Sequence, residues 1–160
     1  MDKLIQVVVL SVGGVLGVNA RYWLGVWVNR WASQQFPWAT FLINVMGSFA
    51  IGFLATILAR WLPHQNARLL VITGFLGGYT TYSTFAFESH TLWERGEKAV
   101  SVGYMASTLL AGFLAVWLGV ALARSLTEAA AERTTPGSSA ATAGGEELPS
   151  AAARESKETL

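Results

Sequence analysis

The chain has 160 residues, of which 52% are hydrophobic and 13% are charged, and its formal net charge is +1. Such an apolar fraction exceeds what a soluble domain of this length can bury, and it predicts an integral membrane protein. The absence of cysteine excludes disulfides and cysteine-based sites, and no dense Lys/Arg run indicates nucleic-acid binding.

Four segments are apolar enough to span a membrane, since a bilayer core of ~30 Å needs roughly 20 such helical residues. They cover about residues 4–28, 38–61, 67–93 and 99–123. Tryptophans, which prefer the membrane interface, stand near the ends of these segments: Trp23, Trp27, Trp31, Trp38, Trp61 and Trp93. The alternative, a soluble helical bundle, is disfavoured because these helices largely lack a polar stripe.

Residues 1–124 are therefore predicted to form one four-span, all-α membrane domain. The composition changes at residue 125, where Ala, Ser, Thr, Gly and Glu replace the large apolar residues. A segment of this kind cannot bury enough surface to fold alone, so residues 125–160 are predicted to be a disordered tail.

The third span has an unusual composition in its middle. The pair Gly77-Gly78 favours a break in the helix, and hydroxyl side chains that can bond freed backbone groups follow it: Thr80, Thr81, Ser83 and Thr84. Irregular backbone at membrane depth is tolerated only beside protein or a water-filled cavity, so a break here indicates an ion site. In the alternative interpretation, the glycines only permit a close helix contact.

Small residues also recur at four-residue spacing in the other spans, where they permit close approach between helices. The pairs are Gly13 and Gly17, Ser48 and Gly52, and Gly103 and Ser107.

Positive charges are almost evenly divided between the two ends of the predicted spans. One side carries Lys3, Arg60, Arg68 and Arg124, and the other carries Arg30, Arg95 and Lys98, with Arg21 close to it. Cytoplasmic loops normally carry the excess of Lys and Arg, so this balance predicts insertion in both orientations. Because four spans are few for enclosing a pathway alone, we expect an antiparallel homodimer.

Three polar residues lie at a similar depth inside their spans, namely Arg21, Asn44 and Glu88. An unpaired charge at that depth is costly, so a partner or an aqueous cavity is expected beside each. An Arg21–Glu88 pair is one possibility.

The chemistry around the predicted break suits a small anion. Asn44 offers an amide donor and Ser83 and Thr84 offer hydroxyls, while Tyr82 and Phe85 share a helix face and carry partly positive ring edges. Such a lining replaces water without a full charge that would trap the ion. The alternative is that the two aromatic side chains only pack.

Three motifs sharpen this choice: GGVLGVNARYWLG at residues 13–25, WATFLINVMGSFAIGFL at 38–54 and GFLGGYTTYSTFAFE at 74–88. In this order they closely resemble the Fluc/CrcB family of fluoride-specific ion channels, and the resemblance extends over about residues 4–124. The third motif is the most specific of the three.

The resemblance implies a passive channel that exports fluoride across the cell membrane (the inner or plasma membrane) and lowers its toxic cytoplasmic concentration. It further implies a dual-topology homodimer of antiparallel subunits with two pores. A structural sodium ion, which is not transported, would be held at the dimer centre by the backbone carbonyls of Gly77 and Thr80.

The same resemblance assigns the fluoride pathway to Asn44, Tyr82, Ser83, Thr84, Phe85 and Tyr104, with Arg21 and Glu88 as supporting polar residues. Tyr82 departs from the family, which has phenylalanine at this position; its hydroxyl adds a donor or narrows the path. A heterodimer with a homologous chain is the alternative to self-pairing.

Two other functions compete with this one. A small four-span multidrug exporter needs a titratable carboxylate in the membrane, and the only acidic residue inside a span is Glu88, toward one end. A non-transporting membrane scaffold would tolerate changes at Asn44 or Phe85. An enzyme is not expected, because no nucleophile, base and orienting group stand in a recognisable arrangement.

Overall fold

The computed structural model describes residues 3–134 and is entirely helical in that range. The helices are α1 (Lys3–Asn29), α2 (Trp38–Trp61), α3 (Gln65–Arg68), a π-helical segment (Leu69–Leu76), α4 (Gly77–Tyr79), α5 (Tyr82–Glu94) and α6 (Lys98–Thr134). Three of the described helices, α1, α2 and the part of α6 from Lys98 to Ala131, are long and apolar enough to cross a membrane. The chain is therefore a multi-pass membrane protein.

The stretch between α2 and α6 is not one continuous helix. Its backbone leaves helical geometry at Thr80, with φ −80° and ψ 155°, and at Thr81, with φ −147° and ψ 110°. The predicted interruption is thus confirmed, but its predicted position at the glycine pair is wrong, because Gly77 has ordinary helical angles (φ −64°, ψ −35°). The π-helical segment before it was not predicted from the sequence.

Glycines in this region serve close packing between α1 and the interrupted stretch. A Cβ atom at Gly13 would overlap the carbonyl oxygen of Leu70, and one at Gly17 would overlap that of Phe75. A Cβ at Gly78 would lie only 2.8 Å from the carbonyl oxygen of Gly14. The close-contact interpretation of Gly78 is therefore the better one, and the packing role predicted for Gly13 and Gly17 is confirmed.

Helices α2 and α6 pack side by side and run in the same direction. Gly52 lies against the carbonyl oxygen of Val116, and Gly119 lies against that of Phe49. Gly103 has open space around its Cα instead, so its predicted role in close packing within the subunit is wrong.

Helix α6 continues past the boundary predicted at residue 124 and ends at Thr134. The tail prediction is therefore wrong for residues 125–134, where an alanine-rich sequence of high helix propensity continues a helix that is already formed. Part of this extension also packs, since Thr127 is buried. The remainder of the predicted tail, residues 135–160, lies outside the described residues.

Substitution of Gly17 tests the close approach of α1. Gly17→Ala forces the Phe75 carbonyl to move, and overpacking of this kind costs about 1–3 kcal/mol, so we expect a clearly lower thermal unfolding temperature of the purified protein. Gly14→Ala is the matched control on the same helix. A Cβ there meets nothing within 4 Å, and replacing a helical glycine by alanine gains roughly 0.5–1 kcal/mol. Equal losses of stability in the two variants would show that the packing is not as described.

Candidate functional site

The interruption at Thr80–Thr81 is held by the side chain of Asn44 from α2. The Asn44 Oδ1 atom accepts a hydrogen bond from the backbone N–H of Thr81 at 2.9 Å, and its Nδ2 atom donates to the Thr81 carbonyl at 3.1 Å. Backbone groups away from water need such partners, because leaving one unsatisfied costs about 1–3 kcal/mol. The Asn44 side-chain amide therefore bonds both backbone groups of Thr81, its N–H and its carbonyl, in place of the partners that a continuous helix would provide.

The next helix begins with its own cap. The Thr81 hydroxyl accepts from the backbone N–H of Thr84 at 3.3 Å and donates to the Thr84 hydroxyl at 2.9 Å. Its oxygen also lies 3.5 Å from the Ser83 hydroxyl. Threonine at an N-cap satisfies one of the free N–H groups of the first turn. Three hydroxyls, those of Thr81, Ser83 and Thr84, are therefore clustered at the start of α5.

Four consecutive backbone carbonyls at the interruption, those of Gly77, Gly78, Tyr79 and Thr80, stay without a hydrogen-bond partner among the described residues. The Thr81 N–H would bond the Gly77 carbonyl in a continuous helix, but it bonds Asn44 instead. No hydrogen bond within residues 3–134 reaches the Gly77 or Thr80 carbonyl oxygen. Carbonyl oxygens are suitable ligands for a hard cation. In the described part of the chain, no group of three or more His, Asp or Glu side chains could hold a metal ion.

A cavity of about 430 Å³ lies beside the interruption, between α2, α5 and α6. It brings together several of the residues predicted from the sequence, namely Asn44, Gly77, Thr80, Tyr82 and Phe85. Its other lining residues are Gly47, Ser48, Ile51, Ile72, Leu76, Thr81, Thr108, Leu109, Gly112, Phe113 and Val116. No charged side chain lines this cavity, so its polar groups are neutral donors and acceptors.

The predicted residues Ser83, Thr84, Tyr104, Glu88 and Arg21 do not line the cavity. Ser83 and Thr84 are exposed on the surface of the subunit at the start of α5, and Arg21 is half-buried on α1.

Aromatic rings form a chain that leads from the surface into the core. Tyr82 is 79% exposed, and its ring centroid lies 6.0 Å from that of Phe85. Phe85 is buried and meets Tyr104 edge-on at 5.2 Å, and Tyr104 in turn meets Phe36 at 5.3 Å. Tyr104 is fully buried, and with Phe85 and Leu92 it forms the main buried apolar cluster at this end of the subunit.

Glu88 is hydrogen-bonded by hydroxyl groups and is not paired with an arginine. Its Oε2 atom accepts from the Tyr104 hydroxyl at 2.8 Å, and its Oε1 atom accepts from the Thr40 hydroxyl at 3.0 Å. The one ion pair among the described residues joins His90 and Glu94, so the possible Arg21–Glu88 pair does not form within the subunit.

Three threonines were missed as site residues from the sequence alone. Thr81 caps α5 and Thr40 holds Glu88, while the buried Thr108 hydroxyl lines the cavity and has no hydrogen-bond partner. A sequence signal did exist for Thr108, since it stands four residues after Tyr104 and therefore on the same face of an apolar helix.

The chain also resembles known proteins. It matches the family described as "CrcB-like protein, Camphor Resistance (CrcB)" over residues 8–120. A protein of Agrobacterium fabrum named fluoride-specific ion channel FluC is 40% identical over 124 residues, which cover 77% of this chain and 99% of that protein.

Two further proteins with the same name are similar to the chain. One, of Chloroflexus aurantiacus, is 37% identical over 120 residues, covering 74% of this chain and 95% of its own. The other, of Acidobacterium capsulatum, is 44% identical over 112 residues, covering 69% of this chain and 90% of its own.

The role of Asn44 at the interruption is open to a direct test. Asn44→Ala removes both bonds to Thr81, and we expect a loss of about 1–3 kcal/mol in stability, seen as a lower thermal unfolding temperature of the purified protein. Asn19→Ala is the matched control, because the Asn19 side chain is exposed and bonds only the Val15 carbonyl of its own helix, at 2.8 Å. It should change stability by less than about 0.5 kcal/mol. If both variants behave alike, Asn44 does not hold the interruption.

Proposed function

The chain belongs to the CrcB family, a family of ion channels and not of enzymes, and from this premise we propose that it is a passive fluoride-selective channel. Its role would be to export fluoride across the cell membrane and so to lower the toxic cytoplasmic concentration of the ion. The observation that carries the proposal is the cavity beside the interruption, which combines an amide, hydroxyls and aromatic rings without any charged side chain.

This lining chemistry matches the demands of a small, strongly hydrated anion. Asn44 and Thr108 each offer one weak donor, and the rings of Tyr82 and Phe85 offer partly positive edges. Partners of this strength replace part of the hydration shell yet allow the ion to leave, as conduction requires. The Asn44 amide keeps one N–H that no described residue uses, because only one bond from its Nδ2 atom is made.

The fluoride pathway in this proposal runs along the residues assigned from the sequence, with Thr108 added. They are Asn44, Tyr82, Ser83, Thr84, Phe85, Tyr104 and Thr108. Arg21 and Glu88 act as supporting polar residues, and Glu88 does so by fixing the Tyr104 hydroxyl at 2.8 Å.

We also propose that four spans cross the membrane and that two antiparallel copies form the channel. The fourth span is the interrupted stretch from Gln65 to Glu94. Three observations support a second copy. Lys and Arg are divided almost evenly between the two ends of the spans, Tyr82 is 79% exposed, and the cavity wall includes Phe113, which is 69% exposed. A large apolar surface of this kind beside a polar interruption is suited to an identical partner.

A structural sodium ion is the third part of the proposal. The Gly77 and Thr80 carbonyls, which have no partner among residues 3–134, are its ligands. On a two-fold axis each subunit would supply the same two oxygens, and the ion would be bound but not transported.

The multidrug-exporter alternative is not favoured. Proton-coupled export needs a carboxylate that faces the substrate, but the cavity has none, and both oxygens of Glu88 already accept hydrogen bonds.

Fluoride efflux from liposomes that contain the purified protein tests the function, with chloride efflux as the control for selectivity. We expect rapid fluoride efflux and no measurable chloride efflux. Phe85→Ile keeps the apolar bulk but removes the ring edge, so it should slow fluoride efflux by about fivefold, given that a ring contact contributes ~1 kcal/mol. Phe87→Ile is the matched control on the same helix, since Phe87 is 71% exposed and lies outside the cavity.

Tyr82→Phe completes this series. It restores the family residue and removes one hydroxyl, so efflux should be at least as fast as in the unaltered protein. If Tyr82→Phe abolishes efflux while Phe85→Ile is harmless, the hydroxyl of Tyr82 and not the ring edges handles the ion. Absence of fluoride efflux from the unaltered protein, with correct assembly, would favour the scaffold interpretation.

Dual insertion is tested by reporters fused to the C-terminus. One reporter is active only in the cytoplasm and the other only outside it, and we expect signal from both because the charges at the two ends are nearly balanced. Adding three lysines to the α2–α3 link should shift the protein to one orientation. A signal from only one reporter in the unaltered protein excludes dual topology.

A further inference from the structure

A groove separate from the cavity lies where α2 ends against α6. It is lined by Ala55, Thr56, Ala59, Arg60 and Arg124. The two helices run in the same direction, so both arginines point to the same end of the subunit. The alanine side chains are short and leave space between the two guanidinium groups.

Arg60 is fixed in this groove by a contact across the two helices. Its Nη1 atom donates to the hydroxyl of Thr127 at 3.3 Å, and that hydroxyl donates to the backbone carbonyl of Arg124 at 2.9 Å. Thr127 is only 1% exposed, so its position is set by packing. A guanidinium has five N–H donors, and this contact uses one of them.

Neither arginine has an acidic partner among residues 3–131, the range in which side chains are described. The one ion pair there joins His90 and Glu94, and Glu128, one turn beyond Arg124, does not come within 4.0 Å of either guanidinium. Two positive charges on one groove, of which that of Arg60 is held by Thr127, favour an anion when no carboxylate accompanies them. The planar guanidinium is the side chain best matched to the oxygens of a phosphate group.

The position of the groove along the helices indicates where this anion comes from. Arg60 is in the last turn of α2, beside Trp61, which is 58% exposed. Exposed tryptophans at the end of a span stand at the level of the lipid headgroups. Leu122 and Leu126, on either side of Arg124 in α6, are 42% and 47% exposed and offer an apolar surface to an acyl chain.

We propose that this groove binds the phosphate of an anionic phospholipid between Arg60 and Arg124, a site distinct from the fluoride pathway. A lipid is favoured over free phosphate because the groove combines the two charges with exposed apolar side chains at the membrane end of the helices. The bound lipid would connect α2 to the extension of α6 beyond residue 124. In an antiparallel dimer each leaflet would hold one such lipid.

Native mass spectrometry of the full-length protein tests the proposal. The protein is purified in detergent with equimolar phosphatidylglycerol and phosphatidylcholine, and we expect retained phosphatidylglycerol to exceed phosphatidylcholine by roughly 25-fold, since each of the two basic side chains near anionic lipid contributes about fivefold. The double variant Arg60→Gln with Arg124→Gln should lose this preference. The control with equal charge is Arg30→Gln with Arg68→Gln, which changes two exposed arginines outside the groove and should keep the preference.

Further measurements distinguish a lipid phosphate from free phosphate, and a milder variant keeps the test valid if the double glutamine variant fails to fold. If millimolar inorganic phosphate displaces the retained lipid, the site recognises free phosphate and the lipid proposal is wrong. Arg60→Lys with Arg124→Lys keeps both charges but loses the planar fork, so we expect a weakened but measurable preference. No preference for phosphatidylglycerol in the unaltered protein, or an equal loss in the control variant, also overturns the proposal. Lipid retention does not require conduction, so this outcome is independent of the fluoride measurements.

Discussion

The pairing of Asn44 with both backbone groups of Thr81 is the interaction on which the rest of the site depends. In an apolar environment a helix cannot be interrupted unless other partners satisfy the freed N–H and C=O groups. Asn44 provides both partners at 2.9 and 3.1 Å, and Gly47, one turn later on α2, leaves the space into which Thr80 and Tyr79 fit. The consequence is that the Gly77 carbonyl loses its usual donor and becomes available.

The positions of the aromatic and acidic side chains follow from the same interruption of the helix. Because α5 starts anew at Tyr82, Phe85 turns inward onto Tyr104, and Glu88 reaches both the Tyr104 and Thr40 hydroxyls. The half-buried Glu88 carboxylate thus accepts two hydroxyl hydrogen bonds, while Arg21 lies elsewhere in the subunit. The same principle operates at the far end of α2, where Thr127 rather than an acid orients Arg60.

Much of this fold could be predicted from hydrophobicity alone. The predicted bounds of the second span, 38–61, agree with α2, and those of the first differ from α1 by one residue at each end.

The interruption of the third stretch was predicted from Gly77-Gly78 and the hydroxyl run, yet its position depends on Asn44, which is distant in sequence. A local glycine signal could not distinguish a break from a close contact, and here Gly78 serves the contact with α1. Thr40 acts through a partner distant in sequence, Glu88, that no local pattern reveals, whereas Thr81 caps α5 within the hydroxyl run that the sequence already indicated. The end of α6 was missed because composition does not report that Thr127 is buried.

The central claim is that Asn44, by taking the N–H of Thr81, leaves the Gly77 carbonyl free to bind sodium. The most direct measurement is thermal unfolding of the purified protein in sodium chloride and in an equal concentration of N-methylglucamine chloride. The account predicts that sodium raises the unfolding temperature of the unaltered protein and of Asn19→Ala. In Asn44→Ala the Thr81 N–H is released and can bond Gly77, so the sodium effect should be lost. An unaltered protein indifferent to sodium, or an undiminished sodium effect in Asn44→Ala, would contradict the account.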